Sequence, residues 1–117
     1  MDPEVKAKWV AALRSGEYEQ GYEYLKTVEP NGDTKYCCLG VLCQIQGLEW
    51  GPSRKGNHPT IRPVSNNYDG DGDECVLPNS VKLKLGLTED QQNELIEKND
   101  THAEPFSVIA NYIEENL

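Results

Sequence analysis

The sequence predicts an α+β fold: a small single domain with four to five helices packed on a short antiparallel sheet or hairpin. Three observations carry this. The chain has 117 residues, the size of one domain. Phe106, Ile109, Ala110, Ile113 and Leu117 fall on one helical face. Pro30-Asn31-Gly32-Asp33 is a strong turn signal between two extended stretches.

Taken in order, Asp2-Pro3 starts a helix, with an acid at the N-cap and proline at the first helical position. Val5, Trp9, Ala12 and Leu13 continue it at helical spacing, and Gly16 ends it. Residues 17–28 read as extended. Alternation puts Tyr18, Gln20 and Tyr22 on one strand face, and continues through Tyr24 to Lys26. The most apolar stretch, Tyr36 to Leu48, predicts a short buried helix over 38–46 with Gly47 at its end; a run this short is also compatible with a strand. Residues 49–74 form a long glycine- and proline-rich loop insertion, with a small hairpin expected around 60–64. Pro78-Asn79-Ser80 opens a short helix closed by Gly86. Thr88 and Gln91 make a capping box for the next helix, which Asn99-Asp100-Thr101 is expected to break.

Hydrophobic residues make up 37% of the chain, enough for a folded core. The formal charge is −9, and the excess of acids lies in the last third, where eight acids face three bases. Such a field repels nucleic-acid backbones, so direct nucleic-acid binding is not expected. The start, Met1-Asp2-Pro3-Glu4, does not read as a signal peptide. No apolar stretch approaches the roughly 20 residues needed to cross a membrane. A cytoplasmic protein with four reduced cysteines and no membrane association is the expectation.

The motifs of the chain speak against catalysis and against a cofactor. Cys37, Cys38 and Cys43 lack the spacing of zinc ligands, and Cys75 and His58 are far from them in sequence; core thiols are the simpler reading. Asp69 to Glu74 resembles the opening of a calcium loop, but the twelfth position is Ser80 where a bidentate acid is needed. The helix pair over 87–113 has Lys98 alone among many acids, which does not suit a DNA reader. No phosphate-cradling glycine loop and no nucleophile elbow is present.

What remains is a candidate binding set. Arg14 at a helix end, then Tyr18, Gln20 and Tyr22 in alternation, offer a cation, stacking surface and hydrogen-bonding groups. Arg54, Lys55, His58 and Arg62 form a local positive cluster in an acidic chain, able to hold a small anion where the whole field rejects a polymer.

Two blocks are distinctive: Trp9-x3-Leu13-Arg14-Ser15-Gly16-x-Tyr18-x-Gln20-Gly21, and Tyr36-Cys37-Cys38-Leu39-Gly40-Val41-Leu42-Cys43. With Leu77-Pro78, Leu85-Gly86-Leu87, Asn99-Asp100 and Phe106-x2-Ile109-Ala110-x2-Ile113, the chain resembles a family of small, uncharacterised bacteriophage proteins. The resemblance covers most of the chain, weakly over 49–74. It carries no activity and no site residues.

It does imply a setting: the bacterial host cell, and a non-enzymatic protein that blunts host defence. One mechanism is sequestration of a nucleotide second messenger, a cyclic nucleotide or an ADP-ribose derivative. Arg14, Tyr18, Gln20, Tyr22, Arg54 and Arg62 would line its pocket, and a homo-oligomer with shared pockets is compatible with it. The alternative is an acidic inhibitor or DNA mimic docking on a host defence protein. The alternation of polar residues with tyrosines favours sequestration.

Overall fold

A computed structural model describes residues 1–51, 58–61 and 74–117. Helix α1 spans Pro3–Arg14. The Asp2 carboxylate accepts the Glu4 N–H at 2.9 Å, and Glu4 and Arg14 suit the two ends of the helix dipole. Its inner face carries Trp9, Val10 and Leu13. Gly16 turns the chain out at φ +78°.

Three short strands follow: β1 (Glu19–Gln20), β2 (Lys26–Val28) and β3 (Thr34–Tyr36). β2 and β3 form the expected antiparallel hairpin, with Lys26 opposite Tyr36 and Val28 opposite Thr34. Its turn is closed by the Gly32 N–H on the Glu29 carbonyl at 2.9 Å, with Gly32 at φ +94°. The Asn31 side chain accepts the Asp33 N–H and donates to the Asp33 carboxylate. β1 lies parallel on the other edge of β3, so β3 is central and the sheet is mixed. The chain reverses between β1 and β2 through Glu23 at φ +76°, whose N–H is held by the Asp100 carboxylate at 2.9 Å.

Helix α2 (Cys38–Ile45) is the centre of the molecule, and every residue from Cys38 to Cys43 is buried. It settles the apolar run as a helix. The α2 face of α1 donates the Trp9 indole N–H to the Cys38 carbonyl at 2.9 Å. Strands β4 (Trp50–Gly51) and β5 (Thr60–Ile61) pair antiparallel. The segment at 60–61 is therefore extended, but its partner lies at 50–51; residues 62–64 lie outside the described residues, as does most of the calcium-like loop, 69–73.

Helix α3 (Asn79–Leu85) ends at Gly86, φ +72°, and α4 (Glu89–Ile96) begins on the expected Thr88–Gln91 capping box. The expected break at Asn99-Asp100-Thr101 does not occur. The helix widens instead into a π-helical turn over Glu97–Thr101. Asn99 is 1% exposed because its amide is drawn into the core, where the surrounding backbone supplies its hydrogen bonds. Polar residues that favour loops when solvated have been kept in the helix by those partners. Helix α5 (Phe106–Asn116) lays its predicted apolar stripe against α1.

Candidate functional site

The hairpin register places Lys26 and Tyr36 side by side on one sheet face. β1 brings Gln20 beside Tyr36 from the other edge, and Tyr18 two residues earlier meets the Tyr36 ring edge-on at 5.6 Å and 83°. Trp50, at the start of β4, tilts toward Tyr36 at 6.3 Å and 51°. The Trp50 indole N–H donates to the Gln44 carboxamide oxygen at 2.9 Å, which holds the ring to the end of α2. Tyr18, Tyr36 and Trp50 are all half-buried.

The Lys26 ammonium stands over this cluster, 5.0 Å from the Trp50 ring centre and 5.8 Å from that of Tyr36. Burial lowers its pKa from the usual lysine value. Burial raises that of Tyr36, and Tyr18 adds to the shift. Three other lysines have carboxylates: Lys35 has Glu29 at 3.8 Å, Lys82 has Glu89 at 3.9 Å, and Lys98 has Glu104 at 3.7 Å; among the described residues Lys6, Lys8 and Lys84 have none. Lys26 has two aromatic faces and, among the described residues, no ion pair. It is a partly buried cation beside two aromatic rings.

The sequence-predicted residues are dispersed. Arg14 ties α1 to α5 through Glu114 at 2.9 Å and Asn111 at 2.6 Å. Gln20 donates to the Asn99 carboxamide oxygen at 3.0 Å and to the Glu104 carbonyl at 2.8 Å, pointing toward the π-helical turn. Tyr22 lies beyond the two-residue strand and is 50% exposed. Tyr18 alone of these four makes a ring contact with the aromatic cluster. Arg54, Lys55 and Arg62 lie outside the described residues, while His58 stacks on Tyr24 at 3.5 Å. A common face for Tyr18, Gln20 and Tyr22 needs a strand from 18 to 22, and β1 ends at Gln20 because Gly21 leads directly into the reversal.

A second surface gathers acids of the last third. Glu94, Glu97, Lys98, His102 and Glu104 line an open concavity of about 490 Å³. Lys98 lies between Glu94 and Glu104 and over the Tyr112 ring, and His102 faces Glu97 at 3.5 Å.

The three cysteines of the apolar block are buried thiols. Burial pushes Cys37 up to about 12, and raises Cys38 and Cys43 as well. The folded state therefore keeps protons that the unfolded chain releases above about pH 8.5. Stability is whole below that pH and falls as pH rises toward 12, by about 1.4 kcal/mol per pH unit from Cys37 alone. Urea midpoints at pH 7 and pH 10 should show the fall; equal midpoints would mean the thiols are not buried.

The family model described as "Domain of unknown function (DUF8296)" matches residues 1–117. The chain belongs to that family. Neither the curated proteins nor the solved structures give a match. For this member of DUF8296, the site must therefore be read from its own geometry. Among its described residues no helix is long and apolar enough to cross a membrane, and no group of three acids, cysteines or histidines is placed to hold a metal.

The residues that sequence reasoning passed over are Lys26, Tyr36 and Trp50. A signal for the first two existed. Counting outward from Asn31, the middle of the turn, pairs 28 with 34 and 26 with 36. Trp50 carried no such signal, because its neighbours come from α2 and β3.

Proposed function

We propose that the protein binds and sequesters a small anionic ligand with a planar ring, without transforming it. The class that fits is a nucleotide second messenger of a bacterial host, trapped in the cytoplasm by a phage protein. The supporting observation is Lys26, poised over Trp50 and Tyr36 with no carboxylate paired to it among the described residues. A base stacks on an aromatic face with about 1–3 kcal/mol of gain. A phosphate supplies a counter-charge to Lys26.

The test is a thermal-shift screen against cyclic dinucleotides, cyclic oligonucleotides and ADP-ribose derivatives. A ligand at one hundred times its Kd adds about 2.7 kcal/mol of stability. Recovery of the ligand intact after heating separates sequestration from turnover. Lys26→Met, which keeps the stem over the rings and removes the charge, should weaken binding about tenfold to a hundredfold. Unchanged affinity would place the ligand elsewhere.

The acidic concavity supports a second reading, docking on a basic surface of a host defence protein. Charge reversal at Glu94 and Glu97 tests it without disturbing the Arg14–Glu114 pair. In that case pull-down of a host protein is lost and small-molecule binding is untouched.

A further inference from the structure

The same rings suit a second class of ligand, independently of the anion binding proposed above. Tyr18 meets Tyr36 at 83° and Trp50 meets it at 51°, so the rings are inclined to one another. The Lys26 ammonium lies 5.0 Å from the Trp50 ring centre and 5.8 Å from that of Tyr36. Both separations fall within the range of about 6 Å over which the negative face of an aromatic ring attracts a cation. Two inclined faces turned to one ammonium make a cation site.

The walls of that site are held in place. The Trp50 indole N–H donates to the Gln44 carboxamide oxygen at 2.9 Å, and its backbone pairs with Ile61 across β4 and β5. Tyr36 ends β3, the central strand of its sheet, and Tyr18 packs edge-on against its ring. Rings fixed before a ligand arrives lose little freedom on binding it.

The occupant is tethered but poorly matched. Lys26 reaches the rings because it faces Tyr36 across the hairpin. Its primary ammonium is a strongly hydrated point charge with three N–H donors. A quaternary ammonium carries methyl groups in place of those donors. It surrenders less water, and its methyl groups add apolar contact to the attraction of the ring faces. The formal charge of −9 over the whole chain draws small cations toward the protein.

We infer that Tyr36 and Trp50 form a cation site which Lys26 fills from within the chain, and that a small quaternary ammonium compound of the choline type displaces Lys26 from it. Lys26 then acts in opposite senses on two ligand classes: it attracts an anion and competes with a cation.

The experiment titrates the full chain with tetramethylammonium, choline, methylammonium and the uncharged carbon isostere of choline, followed by tryptophan fluorescence. Trp9 is fully buried and Trp50 half-buried, so Trp50→Phe should silence the response. Choline should bind at least about tenfold tighter than its uncharged isostere. Lys26→Ala should tighten choline binding about threefold by emptying the rings, while Lys26→Arg, which keeps a cation on them, should not. An isostere that binds as tightly as choline overturns the cation site, and methylammonium binding as tightly as tetramethylammonium overturns the quaternary class. Weaker or unchanged choline binding in Lys26→Ala overturns the displacement of Lys26. Absence of any response to the ammonium compounds defeats the inference and leaves the nucleotide screen to decide the proposed function, in which loss of the Lys26 charge has the opposite sign.

Discussion

Gly40→Ala destabilises the fold by about 3 kcal/mol or more, although alanine is the better helix former. Gly40 lies inside α2, where Leu25 crosses the helix. A Cβ built there overlaps the Leu25 carbonyl oxygen and comes within 2.7 Å of its carbonyl carbon. The obstacle is backbone, which a rotamer change does not relieve. That backbone is also pinned on both sides: the Leu25 N–H donates to the Glu74 carbonyl at 2.8 Å, and its carbonyl accepts the Cys37 N–H at 3.3 Å. Room for one methyl therefore requires β2 to move off α2, and Lys26 moves with it. For a domain of this size the melting temperature should drop by roughly 10 °C. Gly47→Ala is the control, since nothing lies within 4 Å of its Cβ and the cost is only that of φ +70°, about 1 kcal/mol. Urea unfolding of both variants checks the contrast. A Gly40→Ala protein as stable as the parent would mean that helix and strand do not approach this closely.

Much of the fold was legible because its signals are local. Asp2-Pro3, the Thr88–Gln91 box and Gly86 mark helix ends by chemistry within a few residues, and the structure has helix ends at each. Asn31 and Gly32 set a hairpin whose register follows by counting. Three features resisted for the opposite reason. β1 is parallel to β3, and nothing within Glu19-Gln20 encodes a partner sixteen residues away. The π-helical turn reads as a break because Asn, Asp and Thr favour loops when water is their only partner; here the partners are Gln20, Gly21, Glu23 and Cys38. The pairing of Arg14 with Glu114, one hundred residues on, has no local signal either. The aromatic cluster draws Tyr18, Lys26, Tyr36 and Trp50 from four segments, so the hairpin pair alone was within reach of sequence reasoning.

Asn99→Leu is expected to cost about 3 kcal/mol, the other large effect in the molecule. Helix α2 begins after Cys37, which makes no side-chain cap, and cysteine is not among the residues suited to that position. The cap comes from Asn99 instead: its carboxamide oxygen accepts the Cys38 N–H at 3.2 Å and the Gln20 amide at 3.0 Å. Its amide donates to the Gly21 carbonyl at 3.1 Å and to the Asp100 carboxylate at 2.7 Å. One side chain thus holds the start of the central helix and the end of β1. Leucine leaves the Cys38 N–H and the Gly21 carbonyl without this partner. Asn99→Asp is the sharper variant, because it keeps the acceptor and loses the donor. A carboxylate there faces the Gly21 carbonyl and Asp100, so burial and like charge hold its pKa up and the folded state binds the extra proton more tightly. Stability of Asn99→Asp should therefore rise as pH falls from 7 toward 5, where the protonated acid again donates. A parallel loss in the parent and the variant over that range would show that the amide donor has no such role. Because Tyr18, at the start of β1, touches the ring cluster, both variants should also change Trp50 fluorescence at neutral pH, linking the π-helical turn to those rings.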